Sequence, residues 1–119
     1  MPVHIVEHPL VHDALVELRD KRTPPDHFRR AATRISVLLV DPMLATGGSS
    51  VAALRLLQDA GARDIRIVCI VAAPEGLATV EQHFPHVSIY TPVVDQRLNE
   101  QKYIVPGLGD FGDRLYGTL

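Results

Sequence analysis

Asp41, the turn Thr46-Gly47-Gly48-Ser49 and the helical apolar spacing from Val51 to Leu57 bring a carboxylate, two glycines and two hydroxyls into one short stretch. Four apolar residues, Val37 to Val40, deliver the chain to a strand end at Asp41. Glycines let the turn direct backbone N–H groups inward, and an anion at the following helix N-terminus meets unpaired donors and the positive end of the dipole. Asp41, just upstream, offers only acceptors, the complement of sugar hydroxyls. Phosphate beside a polyol is sugar-phosphate chemistry. The same letters also build an ordinary strand, turn and serine-capped helix, and spacing alone does not choose between the two.

Other motifs carry less. Gly107-Leu108-Gly109-Asp110-Phe111-Gly112 matches G-x-G-x-x-G, but seven residues remain after it, too few for a dinucleotide fold. Asp110-Phe111-Gly112 matches a kinase signature in a chain without the companion motifs. What these glycines can do is bring main chain close to the edge of a flat ligand. His8 and His12 have a helical metal spacing, yet Pro9 intervenes and no third ligand is evident, so they read as solvent-facing. Glu75 either reaches the crevice or favours the N-terminus of its own helix, the second being the better reading.

Several elements must position these residues. Leu10, Val11, Ala14, Leu15 and Leu18 predict a helix over Pro9 to Arg19, and a second covers Pro24 to Ile35. Then follow a strand Val37–Asp41, a helix Ser49–Ala60 closed by Gly61, a strand Ile65–Ala73, a short helix Gly76–His83 and a strand Val87–Thr91. Such alternation predicts an α/β fold, a partial doubly wound parallel sheet of about three strands with flanking helices. The crevice belongs at the carboxyl ends of the strands, where Asp41 and the glycine turn fall. From Pro92 onward the polar residues, Pro106 and several glycines read as a long ordered loop.

The wording DPMLATGGS over residues 41–49 resembles the phosphoribosyl-diphosphate (PRPP) motif of type I phosphoribosyltransferases, in the form found in uracil phosphoribosyltransferases. Two more blocks agree. Ile5-Val6-Glu7-His8-Pro9-Leu10-Val11 with Leu18-Arg19-Asp20 and Phe28-Arg29 resembles that family's N-terminus; Asp95 to Glu100 and Tyr103 to Asp110 resemble its uracil-binding segment. The resemblance implies PRPP contacts at Asp41, Pro42, Met43, Leu44, Ala45, Thr46, Gly47, Gly48, Ser49 and Asp110. It implies uracil contacts at Ile104, Gly109, Asp110 and Phe111. An apolar loop anchor is the competing role for Ile104, and a turn carboxylate for Asp110. The implied reaction joins uracil N1 to the anomeric carbon of PRPP, giving UMP and diphosphate, with Mg²⁺ held mainly through PRPP. No residue is assigned as catalytic or as a metal ligand. GTP activation, found in some relatives, and a homo-oligomer are implied by the same resemblance.

Length sets a second expectation. The chain has 119 residues and 13.1 kDa. Family members run to roughly twice that length, and the resemblance jumps from about Ile35 to the PRPP motif across about 90 absent residues. Ser36 alone separates the second helix from Val37, where about 2–6 connecting residues are usual. An internal deletion is therefore expected between a helical segment, 1–36, and a core half with the C-terminal loop, 37–119. The arginines and mobile loop that relatives place over the diphosphate belong to the omitted part; Arg19, Arg29, Arg30 and Arg34 match other parts of the pattern. Two readings follow: an enzyme weakened in catalysis, or a non-catalytic remnant that binds UMP or phosphate or joins an intact subunit. A generic phosphate-binding module is disfavoured because it has no use for the C-terminal segment.

Composition narrows the classes further. A net charge of −2 gives no basic footprint for nucleic acid. Cys69, the single cysteine, lies in an apolar run and reads as core. No leader and no run long enough for a membrane span is evident, which makes the cytoplasm the expected compartment. The apolar run Ile65 to Val71 in so small a sheet predicts self-association through uncovered surface and sheet edge.

Overall fold

Arg66–Ala72 forms an inner strand that is apolar almost throughout because helices cover both its faces. The computed structural model of the chain describes residues 3–36 and 41–118. In chain order the elements are β1 (Val3–Ile5), α1 (Pro9–Arg19), α2 (Pro25–Ser36), β2 (Asp41–Leu44), α3 (Gly48–Asp59), β3 (Arg66–Ala72), α4 (Pro74–His83), β4 (Ser88–Thr91), β5 (Arg97–Leu98), β6 (Ile104–Val105) and α5 (Phe111–Tyr116). Ile67 and Cys69 pack with Val51, Leu54 and Val80 of α3 and α4. Val68 and Ile70 pack with Val11, Leu15, Phe28 and Ala31 of α1 and α2. The strand is buried on both faces, as its apolar run leads one to expect.

The sheet is parallel, as expected, but has four strands in the order β1-β4-β3-β2. The unexpected strand is β1, whose Val3, His4 and Ile5 align with Ile89, Tyr90 and Thr91. Three residues are too few to show a period of two, so nothing local announced it. The His4 and Tyr90 rings stack at 4.5 Å, adding a cross-strand contact. Through β1 the stretch before the helices joins the sheet built by the rest of the chain.

The glycine-turn strand differs from its predicted span. Residues 37–40, and with them the abrupt join after Ser36, lie outside the described residues. The described strand runs from Asp41, opposite Cys69, to Leu44, opposite Ala72. Asp41 therefore opens the described strand instead of ending it. Pro42 does not stop the strand because β2 is at the edge of the sheet and Pro42 has no ladder partner, so its missing N–H costs no bond.

The region after Pro92 is also more regular than expected. β5 and β6 pair antiparallel, with Leu98 opposite Ile104, and α5 follows. Asn99 shapes the hairpin, its Oδ1 accepting from the N–H groups of Gln101 and Tyr103 at 3.0 Å each. These elements have two to six residues, below the length at which periodicity is readable. α4 begins at Pro74, earlier than predicted, because proline is suited to the first helical turn. Among the described residues no helix is long and apolar enough to cross a membrane.

Candidate functional site

The glycine turn leads directly into the N-terminus of α3. Gly47 is the N-cap in the left-handed region, φ +85°, and no side chain caps the helix. Thr46 Oγ1 accepts a long bond from the Gly48 N–H at 3.4 Å. The Val51 N–H, the first intrahelical donor, bonds to Gly47 O, so the N–H groups of Ser49 and Ser50 lie ahead of the helix's own ladder. Thr46, Gly48 and Ser49 are exposed, and a Cβ added to Gly48 would meet only Thr46 Oγ1, at 3.7 Å. The space before these donors is open. The dipole of a twelve-residue helix adds partial positive charge there. Ser50 is buried just inside the turn, and its Oγ has no hydrogen-bond partner.

Gly47 has a second reason to be glycine. A Cβ there would stand 2.9 Å from Gly76 O and 2.9 Å from Thr79 Cβ, so the turn rests on α4. Gly76 answers it: a Cβ on Gly76 would lie 2.5 Å from Ala45 O and 2.9 Å from Leu44 O. Close approach at Gly47 is thus between two protein segments, whereas Gly48 faces the open side. In the sequence Gly76 reads as the end of the strand's exit and the start of a short helix, without this contact.

The other PRPP-motif residues divide into core and backbone. Leu44 is fully buried beneath α3 and α4, while Met43 and Ala45 pack toward α1 and α2. Their side chains are structural. Leu44 O accepts from the Ala73 N–H at 2.8 Å, and Ala72 O accepts from the Asp95 N–H at 2.8 Å. The ends of β2 and β3 and the chain after β4 are therefore knit at one place, the carboxyl edge of the sheet, where open α/β sheets hold ligands.

The C-terminal segment is fastened to the same edge. Ile104 is buried with α1 and α2, which realises the anchor role for its side chain. Asp110 Oδ1 accepts from the Asp113 N–H at 2.8 Å and caps α5, which commits one of its oxygens. Phe111 packs edge-on against Phe28, with ring centres 5.5 Å apart. Gly107 and Gly109 have φ of +57° and +82°, and the peptide between Val105 and Pro106 is cis.

Two groups hold this segment in ways the sequence does not announce. Asp95, 7% exposed, accepts from Arg19 through Oδ1 and from the Gly107 N–H through Oδ2, both at 2.8 Å. Arg114 donates to Leu18 O, Leu108 O and Asp20 O at 2.8–2.9 Å and lies over the Phe28 ring at 4.5 Å. Burial lowers the Arg114 pKa from its ordinary value, against the opposing effect of Asp20. No local signal reveals these pairs, because Arg19 and Asp95 are 76 residues apart and Arg114 and Leu18 are 96 apart.

Other predicted residues have structural partners. Glu75 Oε1 accepts from the Leu98 N–H at 3.1 Å, linking α4 to β5, and this bond is the main cause of its lowered pKa. His8 Nδ1 accepts from the Leu10 N–H at 3.2 Å and caps α1. Arg29 donates to Leu115 O at 2.9 Å. An open cavity of about 660 Å³ between α1 and α2, lined by Asp13, Glu17, Asp20, His27 and Arg30, does not include the glycine turn.

Comparison with known proteins agrees with this architecture. A family model described as uracil phosphoribosyltransferase matches residues 33–118. A uracil phosphoribosyltransferase of Dictyoglomus thermophilum is 58% identical over 82 residues, covering 69% of this chain and 40% of that protein. Those of Bacillus pumilus and of Clostridium botulinum strain Eklund 17B are 57% and 49% identical over 105 residues, covering 84% of this chain and 50% of each relative. The chain thus spans about half the length of the curated relatives it matches. In fold it is similar to the AQ2163 protein from Aquifex aeolicus, with a TM-score of 0.89 at 23% identity, covering 96% of this chain and 97% of that one. With the family match extending over the glycine turn, the sheet and the C-terminal hairpin, the chain belongs to the uracil phosphoribosyltransferase family.

Proposed function

We propose that the chain binds a 5′-phosphoribosyl group at Thr46 to Ser49 and uracil along the main chain of residues 104–111, as a uracil phosphoribosyltransferase core. The observation that carries this reading is the exposed turn at the N-terminus of α3, with N–H groups ahead of the first intrahelical donor, Val51, and open space at Gly48. Thr46 to Ser49 hold the 5′-phosphate. Asp41 takes the ribose hydroxyls. Glycine-rich main chain from Gly107 to Gly109 reads the alternating carbonyl and N–H edge of uracil. The family reaction couples uracil to PRPP through an oxocarbenium-like transition state, so positioning of base, ribose and phosphate is the chain's own share of catalysis.

Mg²⁺ belongs to this reading as an ion carried by the diphosphate, whose charge it neutralises. In this reading the ion is carried by the substrate, and no step of the chain's chemistry passes through it. GTP activation and a cytoplasmic location belong to the same proposal. Self-association does too, now resting on the outer edge of β2.

The second reading, a non-catalytic remnant that binds UMP or phosphate or joins an intact subunit, is favoured by one fact: the chain covers 40–50% of its relatives' length. Isotope-labelled uracil with PRPP and Mg²⁺ separates the two. A weakened enzyme forms labelled UMP at least about 10³-fold more slowly than a full-length relative, the loss expected from missing diphosphate contacts. Zero turnover with retained UMP binding selects the remnant. Rates within about tenfold overturn the internal deletion as a functional loss.

A further inference from the structure

Asp95 touches three parts of the molecule at once. Its N–H donates to Ala72 O at the carboxyl end of β3, Oδ1 accepts from Arg19 at the end of α1, and Oδ2 accepts from the Gly107 N–H, each at 2.8 Å. Its side chain is 4% exposed. The adjacent residue Ala73 donates to Leu44 O, the last residue of the strand that enters the glycine turn. Gly107 has φ +57°, and any Cβ there would collide with Ile104 O, so the close approach of this loop requires glycine. Strand end, helix end and C-terminal loop are therefore referred to a single carboxylate.

We propose that Asp95 is the positioning residue of the base-reading loop, fixing the Gly107 peptide relative to the phosphate turn, with Arg19 as its fixed countercharge. The inference rests on the functional reading above and deepens it. A carboxylate suits the task because both its oxygens accept, and both neighbours are donors. Asn at this position presents an NH₂ to one of two donors, so one of the two bonds is lost and a donor is left facing a donor. The connection runs through Asp95 to the base side, while the α3 turn keeps its own supports at Gly47 and Gly76.

The test is calorimetric titration of wild type and Asp95→Asn with UMP and, separately, ribose 5-phosphate. The expected result is a loss of UMP affinity of at least about tenfold with ribose 5-phosphate affinity changed by less than about twofold. Equal losses for both ligands, or no loss for either, would overturn the proposal, because a general structural role lowers both. Arg19→Gln, which replaces a partly exposed side chain, carries the same test if Asp95→Asn does not fold; its expected loss is about threefold or more for UMP alone. Amide exchange without ligand decides independently in Asp95→Ala, which removes both acceptors: the Gly107 N–H should exchange about tenfold faster while the first turn of α3 is unchanged. If wild type binds ribose 5-phosphate but not UMP, the functional reading fails, and an unaltered Gly107 exchange rate would still refute the positioning role.

Discussion

Gly47 and Gly76 face each other where β2 passes into α3 and β3 into α4. A Cβ on the first would press on Gly76 O at 2.9 Å, and a Cβ on the second would press on Ala45 O at 2.5 Å. The glycine turn is thus shaped from behind by α4. Gly76→Ala should therefore destabilise the fold by about 1–3 kcal/mol, since backbone must move to admit the methyl group. It should also weaken ribose 5-phosphate binding, which urea denaturation and calorimetry would measure on the same variant.

Gly48 gives the cleaner probe of the turn. Its added Cβ meets only Thr46 Oγ1 at 3.7 Å, so Gly48→Ala should leave stability within about 0.5 kcal/mol of wild type. The methyl group nevertheless stands on the open side, and ribose 5-phosphate affinity should fall by about tenfold. Gly47→Val, by contrast, should lose stability and binding together. Unchanged affinity in Gly48→Ala would place the phosphate elsewhere.

Arg114 donates to three carbonyls, two of them at the C-terminal end of α1, where Asp20 O also accepts from the Thr23 N–H at 3.1 Å. Arg114→Leu should cost about 2–4 kcal/mol, combining lost charge-assisted bonds with carbonyls left unpaired. Thermal unfolding would check this. A loss below about 0.5 kcal/mol would show that water replaces the guanidinium at no cost.

Glu75 predicts an acid response. Its folded pKa lies below the ordinary 4.5, chiefly through the Leu98 N–H, so its contribution is present above about 4.5 and is lost as pH falls through the lowered value. Glu75→Gln should narrow the difference in stability between pH about 6 and about 3 relative to wild type. Chemical denaturation at the two pH values would test it, and an identical pH dependence in both proteins would contradict the assigned bond.

Much of the frame was legible in the sequence. Pro9–Arg19 was placed to the residue because its apolar spacing and terminal proline agree, and β3 was recognisable from an apolar run buried on both faces. The strand expected to end at Asp41 continues through Pro42 to Leu44, which an edge position allows and which is a fact of tertiary order. β1, β5, β6 and α5 fell below readable length. In the site, the glycine turn announced itself locally, whereas Asp95, named only as part of a resembling block, and Arg114 act through partners 76 and 96 residues away, which no local pattern pairs with them. The side chains of residues 33–36 and of Asp41 lie outside those described, so the ribose role of Asp41 stands as proposed.

Amide exchange with and without UMP tests most directly whether the turn and the C-terminal loop hold one ligand. Binding should slow exchange at both Ser49–Ser50 and Gly107–Gly109, because one molecule spans the helix N-terminus and the base-reading main chain. Protection at neither segment, under UMP concentrations that saturate a full-length relative, would contradict the account.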